Sequence, residues 1–176
     1  MNVSEVMGER KSKFTQPNYS HLPPHDVDAE VMALGAAIGF PETRAKMAAL
    51  QPSDFYREEH GWIWAAIQRV PTVSVQTVCD ELGDNLKRFS AHGVTDGGRT
   101  YVEELAEKVF THYGCEVYAR DIINCARLRR LIQLAAQLVR RAYEGHSALA
   151  VSEYGSHQIA ALLTEWNTNK RGGVVI

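Results

Sequence analysis

The longest uninterrupted helical pattern in the chain runs from residue 117 to residue 143, and it limits the possible fold more than any other feature. Apolar side chains recur there at intervals of three or four residues, at Tyr118, Ile122, Cys125, Leu128, Leu131, Ala135, Leu138 and Ala142. That spacing places them on one face of an α-helix. No proline or glycine interrupts the segment. The pattern therefore predicts an amphipathic helix of roughly 40 Å, at about 1.5 Å per residue.

A second long helix is predicted directly after the first. Gly145 ends the first helix, and Ser147 is suited to cap the second, whose apolar residues recur from Val151 to Trp166. Gly155 weakens the middle of this helix by about 1 kcal/mol relative to alanine. Two long helices joined by so short a loop indicate an antiparallel hairpin.

The first half of the chain predicts several shorter helices. Asp26 follows two prolines and can accept hydrogen bonds from the free N–H groups of a first helical turn. Ser74 can cap another helix, which Gly83 ends. Because β-branched residues nowhere alternate over the length of a strand, the chain is expected to be all-α. The predicted parts are a disordered polar arm at 1–21, a globular helical head at 22–112, the hairpin at 113–166 and the start of a linker at 167–176.

Composition excludes several classes of protein. Hydrophobic residues make up 45% of the chain, yet no apolar run approaches the ~20 residues of a membrane helix. The polar N-terminus lacks a signal core, so we expect a cytoplasmic protein without a membrane partner. The three cysteines, Cys79, Cys115 and Cys125, are widely spaced, which argues against both a disulfide framework and a zinc site.

Charge is divided unevenly along the chain. Residues 22–112 carry 14 acidic against 8 basic side chains, whereas residues 113–176 carry 5 against 8. Six arginines lie on the long predicted helix with Asp121 as the acid that opposes them: Arg120, Arg127, Arg129, Arg130, Arg140 and Arg141. A solvated face, a docking surface for an acidic protein and a phosphate-binding surface are all compatible with this pattern. The acidic first half favours protein docking, through Arg120, Arg127, Arg130, Arg140 and Arg141.

Six sets of short segments carry a family resemblance. In chain order they are Leu22-Pro23-Pro24-His25-Asp26 with Ala29-Glu30 and Leu34-Gly35; Pro52-x-Asp54-Phe55-Tyr56 with His60 and Ile63; Thr77-Val78 with Glu81-Leu82; Gly97-Gly98-x-x-Tyr101-Val102-x-x-Leu105; Tyr118-Ala119 with Ile122-Ile123; and Leu128-Arg129-Arg130-Leu131-Ile132. In this order the set resembles the N-terminal domain of the DnaB-type replicative DNA helicases of bacteria and phages. The resemblance covers roughly residues 22–143.

The resemblance implies a head and hairpin that form a collar around a helicase ring, with subunits in pairs. It implies docking of primase and of helicase loaders, and a linker to a RecA-like ATPase domain. Single-stranded DNA would then be bound only by the full-length ring. It also favours self-association through the apolar face of the hairpin, at Tyr118, Ile122, Leu128, Leu131, Leu138, Ile159, Leu162 and Trp166.

Two departures from the family pattern bear on function. The segment between Trp64 and Thr77 looks shorter than is usual. A phosphate-binding P-loop needs a glycine directly before its lysine, and the nearest string, Gly8-Glu9-Arg10-Lys11-Ser12, does not have one. We therefore expect no catalytic residue, metal site or cofactor in this chain. ATP and Mg²⁺ would belong to an absent ATPase domain, and the chain itself would be a fragment ending in the linker.

Two polar groupings could suggest a site. His25 and Asp26 are adjacent, but residues at that position are far more often helix caps. Tyr56 and His60 could share a helix face, yet no nucleophile accompanies them. Phe55 and Tyr56 are expected to anchor the core, with His60 hydrogen-bonded beside them.

Two other functions remain open at this point. The chain could be a free-standing regulator of the same fold, from a phage or mobile element, that binds a host helicase or primase. It could also be a small basic nucleic-acid-binding protein, although sparse aromatic residues among the arginines argue against a platform that stacks single-stranded bases.

Overall fold

The computed structural model describes residues 22–92, 98–111 and 113–169. Its seven α-helices over those ranges are α1 (Val27–Gly39), α2 (Thr43–Lys46), α3 (Glu58–Arg69), α4 (Val75–Leu82), α5 (Arg99–Glu107), α6 (Cys115–Tyr143) and α7 (Ala148–Asn169). Short 3₁₀ helices occupy Pro52–Asp54 and Gly83–His92. The all-α prediction is confirmed. None of the described helices is long and apolar enough to cross a membrane.

The predicted helix caps are confirmed in three places. Asp26 accepts a hydrogen bond of 2.8 Å from the backbone N–H of Ala29 at the start of α1. The Ser74 hydroxyl accepts from the Thr77 N–H at 3.2 Å at the start of α4. Ser147 accepts from the third residue of α7 at 3.2 Å. These bonds satisfy N–H groups that a helix leaves without an internal partner, which is why the helices begin where the sequence indicates.

Helix α1 lies at the centre of the head and packs against α3, α5 and α6. Its small side chains, Ala33, Ala36 and Ala37, are buried and allow these neighbours to approach closely. A Cβ atom at Gly35 would clash with the carbonyl of Leu105 in α5, so only glycine permits that contact. Around α1 the core is filled by large side chains with no exposure: Leu34, Leu50, Ile63, Trp64, Ile67 and Leu105.

Helix α6 belongs to both parts of the molecule. Cys115, Ala119 and Ile122, in its first third, are buried in the core of the head. The head therefore extends into α6, beyond the boundary predicted at residue 113. Helix α7 continues three residues past the predicted end at Trp166. The predicted arm at 1–21 and the segment 170–176 lie outside the described residues.

Candidate interaction surface

An ion pair with two hydrogen bonds joins the two hairpin helices. The Arg130 guanidinium of α6 donates to both carboxylate oxygens of Glu165 in α7, at 2.6 and 2.7 Å. The hydrogen bonds to Glu165 raise the pKa of Arg130, and the same bonds lower the pKa of Glu165. The planar guanidinium matches a carboxylate in this geometry, so the pair fixes the register of α7 on α6.

Two arginine–aromatic contacts repeat this arrangement along the hairpin. The Arg127 guanidinium carbon lies 5.2 Å from the ring centre of Trp166, and that of Arg141 lies 3.9 Å from the ring centre of Tyr154. The middle of α6 thus contacts the end of α7, and the end of α6 contacts the start of α7. The antiparallel hairpin is confirmed, and cation–π attraction contributes to its stability.

The helices of the hairpin approach most closely at Gly155. A Cβ atom at this position would lie 3.2 Å from a terminal carbon of Leu138, tighter than most such contacts. The glycine that weakened the helix prediction is therefore a packing feature. Leu138 is half-buried in this seam, and Leu134, one turn earlier on α6, is buried.

Three of the five predicted docking arginines are engaged within the chain. Arg127, Arg130 and Arg141 all contact side chains of α7. The expectation that Asp121 alone opposes this set is wrong, because it considered the predicted helix alone: Glu165 of α7 pairs with Arg130, and Glu144, just after α6, pairs with Arg140. Arg120 and Arg140 are more exposed, with side chains 47% and 73% accessible, and each has a loose ion pair, with Asp121 and Glu144 respectively, at 3.7 and 3.6 Å.

The predicted self-association residues fall into three groups. Leu128, Leu131 and Ile159 are 41%, 38% and 44% exposed on the outer hairpin. Leu138, Leu162 and Trp166 are half-buried. Ile122 is only 2% exposed in the head core, and Tyr118 packs against that core. Ile122 is therefore not accessible to a second copy, because the head covers the start of this apolar face, whereas Tyr118 stays partly accessible beside the head.

The structure adds three exposed apolar residues that were not among the predicted self-association residues. Ile132, Val139 and Leu163 are 45%, 39% and 49% exposed on the same part of the hairpin. The sequence prediction followed one face of α6, whereas the helix is uncovered over a wider arc beyond the head. Periodicity indicates which residues share a face, but it does not show how much of the helix its neighbours cover.

Arg129 joins the hairpin to the head and was not predicted to do so. Its guanidinium donates to the carbonyls of Pro24, at 2.9 Å, and Asp54, and it lies over the ring of Tyr56. Tyr56 is 36% exposed and stacks on His25, so it is not the core anchor that the sequence indicated. The sequence did contain a signal for this contact. Position 129 lies two helical turns after the buried position 122, so both residues are on the side of α6 that faces the head.

A buried polar group crosses the head. His60 has no exposure; its Nδ1 lies 2.6 Å from a carboxylate oxygen of Glu30, and its Nε2 lies 2.5 Å from the hydroxyl of Tyr101. Glu30 also accepts the backbone N–H of Tyr56. The prediction that His60 is hydrogen-bonded is confirmed. These hydrogen bonds connect α1, α3 and α5. Because His60 at their centre is fully buried, we interpret the group as a structural hydrogen-bond network.

Titratable groups elsewhere show ordinary consequences of burial. Burial raises the pKa of the Cys115 and Cys125 thiols, which keeps them in the less reactive protonated form. Burial also raises the pKa of Asp54, although the nearby arginines of α6 oppose the change. In the described part of the chain, no three His, Cys, Asp or Glu residues are grouped so that they could hold a metal ion.

Comparison with known proteins agrees with this architecture. The replicative DNA helicase DnaB of Geobacillus stearothermophilus is 34% identical over 148 residues, which cover 80% of this chain and 29% of that protein. The replicative DNA helicase DnaC of Bacillus subtilis is 33% identical over 129 residues, 69% of this chain and 27% of that protein. The chain thus spans less than a third of the length of these two relatives.

A solved structure and a family model identify the matching region. The crystal structure of the N-terminal domain of DnaB helicase from Mycobacterium tuberculosis superposes with a TM-score of 0.66 at 28% identity, covering 80% of this chain and 99% of that one. The model of the DnaB-like helicase N terminal domain matches residues 22–124. The resemblance noted in the sequence is confirmed, and the chain belongs to the family of DnaB-like helicase N-terminal domains.

Proposed function

We propose that this chain is a non-catalytic assembly and docking module of a replicative helicase. In this role it pairs with a second copy through the outer hairpin, contributes to a collar on the helicase ring, and docks primase or a helicase loader during DNA replication. The observation that carries the proposal is the set of exposed apolar side chains on the hairpin, beyond the part of α6 that the head covers.

The exposed set extends over both helices of the hairpin. Leu128 and Leu131 lie on α6, while Ile159 and Leu163 lie one and two turns beyond Gly155 on α7. A pair of helices has little core of its own, so a face of this kind is stabilised when another apolar surface covers it. Two hairpins related by a twofold axis would present the same face to each other and form a four-helix bundle.

Substitution of Leu131 by aspartate tests the pairing. Leu131 is 38% exposed, so the folded monomer should tolerate the charge while a paired face should not. Light scattering coupled to size-exclusion chromatography should show a dimer or larger species for the unmodified chain and a monomer for Leu131→Asp. Phe110→Asp is the control, because Phe110 is 92% exposed on the head. An unmodified chain that stays monomeric at high concentration would contradict the proposal.

Leu138 is less suitable for this test, although its place in the apolar pattern suggests it. Its side chain meets Gly155 inside the hairpin, so a charge there would separate α6 from α7 in the monomer. Loss of pairing in Leu138→Asp would not distinguish a broken interface from a disrupted hairpin.

Docking of a partner protein is proposed for the outward arginines, Arg120 and Arg140. Replacing both with glutamate should weaken binding to the C-terminal domain of the cognate primase, or to the loader, in calorimetric titration. Arg130→Glu is avoided because the new carboxylate would face Glu165. Fluorescence anisotropy with labelled single-stranded DNA is the companion measurement. Tight, salt-dependent DNA binding that the same substitutions abolish would favour a nucleic-acid-binding function instead.

A further inference from the structure

One face of α6 stays open over the whole length of the helix, and we call it the α6 outer face. At about 100° per residue, its members fall within an arc of about 80°. Its large apolar side chains are between 39% and 61% exposed: Val117, Leu128, Ile132, Val139 and Tyr143. Cys115 and Ala119, on the other side of the helix, are buried in the head. The outer face is therefore accessible even where α6 belongs to the core of the head.

The exposed apolar side chains of α7 lie level with the middle of the α6 outer face. The ion pair between Arg130 and Glu165 sets the register of the two helices. Because the helices are antiparallel, position 132 of α6 then lies level with position 163 of α7. Ile132 and Leu163, at these positions, are 45% and 49% exposed. The apolar centre of the hairpin thus extends across both helices at one level, close to Arg130.

We infer that two copies pair with their α6 helices antiparallel, about a twofold axis level with Arg130, so that Val117 of one copy lies beside Tyr143 of the other. This arrangement rests on the pairing proposed above and extends its surface from the hairpin onto the head. Such an axis places each residue opposite the residue that is equally far on the other side of position 130. Leu128 then meets Ile132 at the axis, and Val117 and Tyr143, each 13 residues from position 130, cover each other.

The charge on the outer face disfavours a parallel arrangement. Asp121 lies within the arc of this face, and its ion pair with Arg120 is loose, at 3.7 Å. A parallel pair would place the two Asp121 carboxylates opposite each other, and like charges that face each other oppose association. In the antiparallel pair, position 121 lies opposite Val139, which is next to Arg140 in the chain. The antiparallel direction therefore removes the repulsion, and it also sets the macrodipoles of the two helices against each other.

Disulfide mapping of the full chain tests this arrangement. The three native cysteines, which are free thiols, are replaced by alanine, and Val117→Cys and Tyr143→Cys are then introduced singly and together. Within one copy these two positions are 26 residues apart on α6, roughly 39 Å at about 1.5 Å per residue. A disulfide between them can therefore only join two copies. Peptide mapping by mass spectrometry identifies which positions are joined.

We expect the double variant to form a covalent dimer on mild oxidation, linked from position 117 to position 143. Each single variant should form at least about tenfold less, because a disulfide needs Cα atoms within about 7 Å and the two copies of either residue would lie at opposite ends of the pair. Covalent dimers of the single variants, linked 117 to 117 or 143 to 143, would show a parallel pair and overturn the inference. A dimer in light scattering that forms no link from 117 to 143 would overturn it as well.

A second probe leaves the native cysteines in place. Tyr143 is replaced by p-benzoylphenylalanine, and unlabelled and ¹⁵N-labelled chains are mixed and left to exchange before irradiation. Crosslinks of mixed label should lie in the tryptic peptide 109–120, which contains Val117, whereas the same probe at Leu163 should crosslink to the middle of the hairpin. Mixed-label crosslinks from position 143 that avoid this peptide would overturn the arrangement and leave the pairing intact. A chain that stays monomeric in the Leu131 test would contradict the pairing itself, and the arrangement with it.

Discussion

The head and the outer hairpin consist of the same kind of helix, yet they are stabilised in different ways. In the head, large apolar side chains such as Leu34, Trp64 and Leu105 have no exposure. In the outer hairpin, Leu131 and Leu163 remain 38% and 49% exposed, and α6 and α7 are joined by an ion pair and two arginine–aromatic contacts.

The difference shows which part of the chain depends on its surroundings. The head buries its apolar surface within a single copy, so its stability should be independent of protein concentration. The outer hairpin buries little, and exposed polar contacts stabilise a protein only weakly. Segments of this kind open locally at a lower free energy than a core does. If pairing with a second copy stabilises the hairpin, α7 should open locally less often once the assembly has formed.

Matched leucine substitutions should give the largest contrast between the two regions. Leu105→Ala, in the head, removes a side chain with no exposure and should lower the free energy of unfolding by about 2–5 kcal/mol, since a cavity is left in a packed core. Leu131→Ala, in the hairpin, should cost less than about 1 kcal/mol in dilute solution because the side chain is already partly hydrated. Urea denaturation monitored by circular dichroism measures both.

The same pair of variants tests whether the head and the hairpin differ in packing. If Leu131→Ala destabilises the dilute monomer as much as Leu105→Ala does, the hairpin has a tight core and the proposed division is wrong. At high protein concentration the two costs should approach each other, because pairing would then depend on Leu131.

Gly155→Val should affect the hairpin and leave the head unchanged. The new side chain would meet Leu138 at the closest approach of α6 and α7, where added volume typically costs about 1–3 kcal/mol. Hydrogen exchange should become faster across α7 but not across α1 or α3. Ala160→Val is the matched control, since Ala160 is exposed on the same helix. Helix propensity alone would make Gly155→Val slightly stabilising and Ala160→Val slightly destabilising. A Gly155→Val variant whose α7 exchanges no faster than that of the unmodified chain would therefore contradict the tight packing.

The sequence predicted local structure well because local signals determine it. Asp26, Ser74 and Ser147 cap the helices that their positions indicated, since an N-cap bond involves only neighbouring residues. Likewise the spacing from Tyr118 to Ala142 predicted one continuous helix, and α6 includes that whole segment. The family resemblance was also readable from short ordered segments, and the family comparison confirmed it.

Contacts between distant segments could not be predicted in the same way. The pairing of Arg130 with Glu165 depends on the register of α7 against α6, which no local pattern gives. The exposure of Leu128 beside the burial of Ile122 depends on where the head stops covering α6. Arg129 was placed in a basic set by composition, yet its role follows from the carbonyls that the head presents to it.

The Tyr101→Phe substitution tests how much the buried hydrogen bonds stabilise the head. The hydroxyl of Tyr101 bonds to Nε2 of the fully buried His60, so its removal leaves that nitrogen without this partner. The expected loss is about 1–2 kcal/mol in the free energy of unfolding, because a buried polar atom loses its hydrogen bond. Tyr143→Phe, on the exposed end of α6, is the control and should cost little. Equal small losses would show that water replaces the missing hydroxyl.

The smallest expected effect concerns the ion pair of the hairpin. A double-mutant cycle of Arg130→Ala and Glu165→Ala should give a coupling free energy of only about 0.2–1 kcal/mol, because both side chains are nearly half exposed. The pKa of Glu165 is lowered from its ordinary value of 4.5 by the hydrogen bonds from Arg130. The coupling should therefore be complete above that ordinary value and disappear as the pH falls through the lowered pKa, where the carboxylate becomes protonated. Thermal melts of the four proteins near neutral and at strongly acidic pH, at low and high salt, measure it. A coupling that persists unchanged after protonation would mean that packing of the two side chains, rather than their charge, holds α7 on α6.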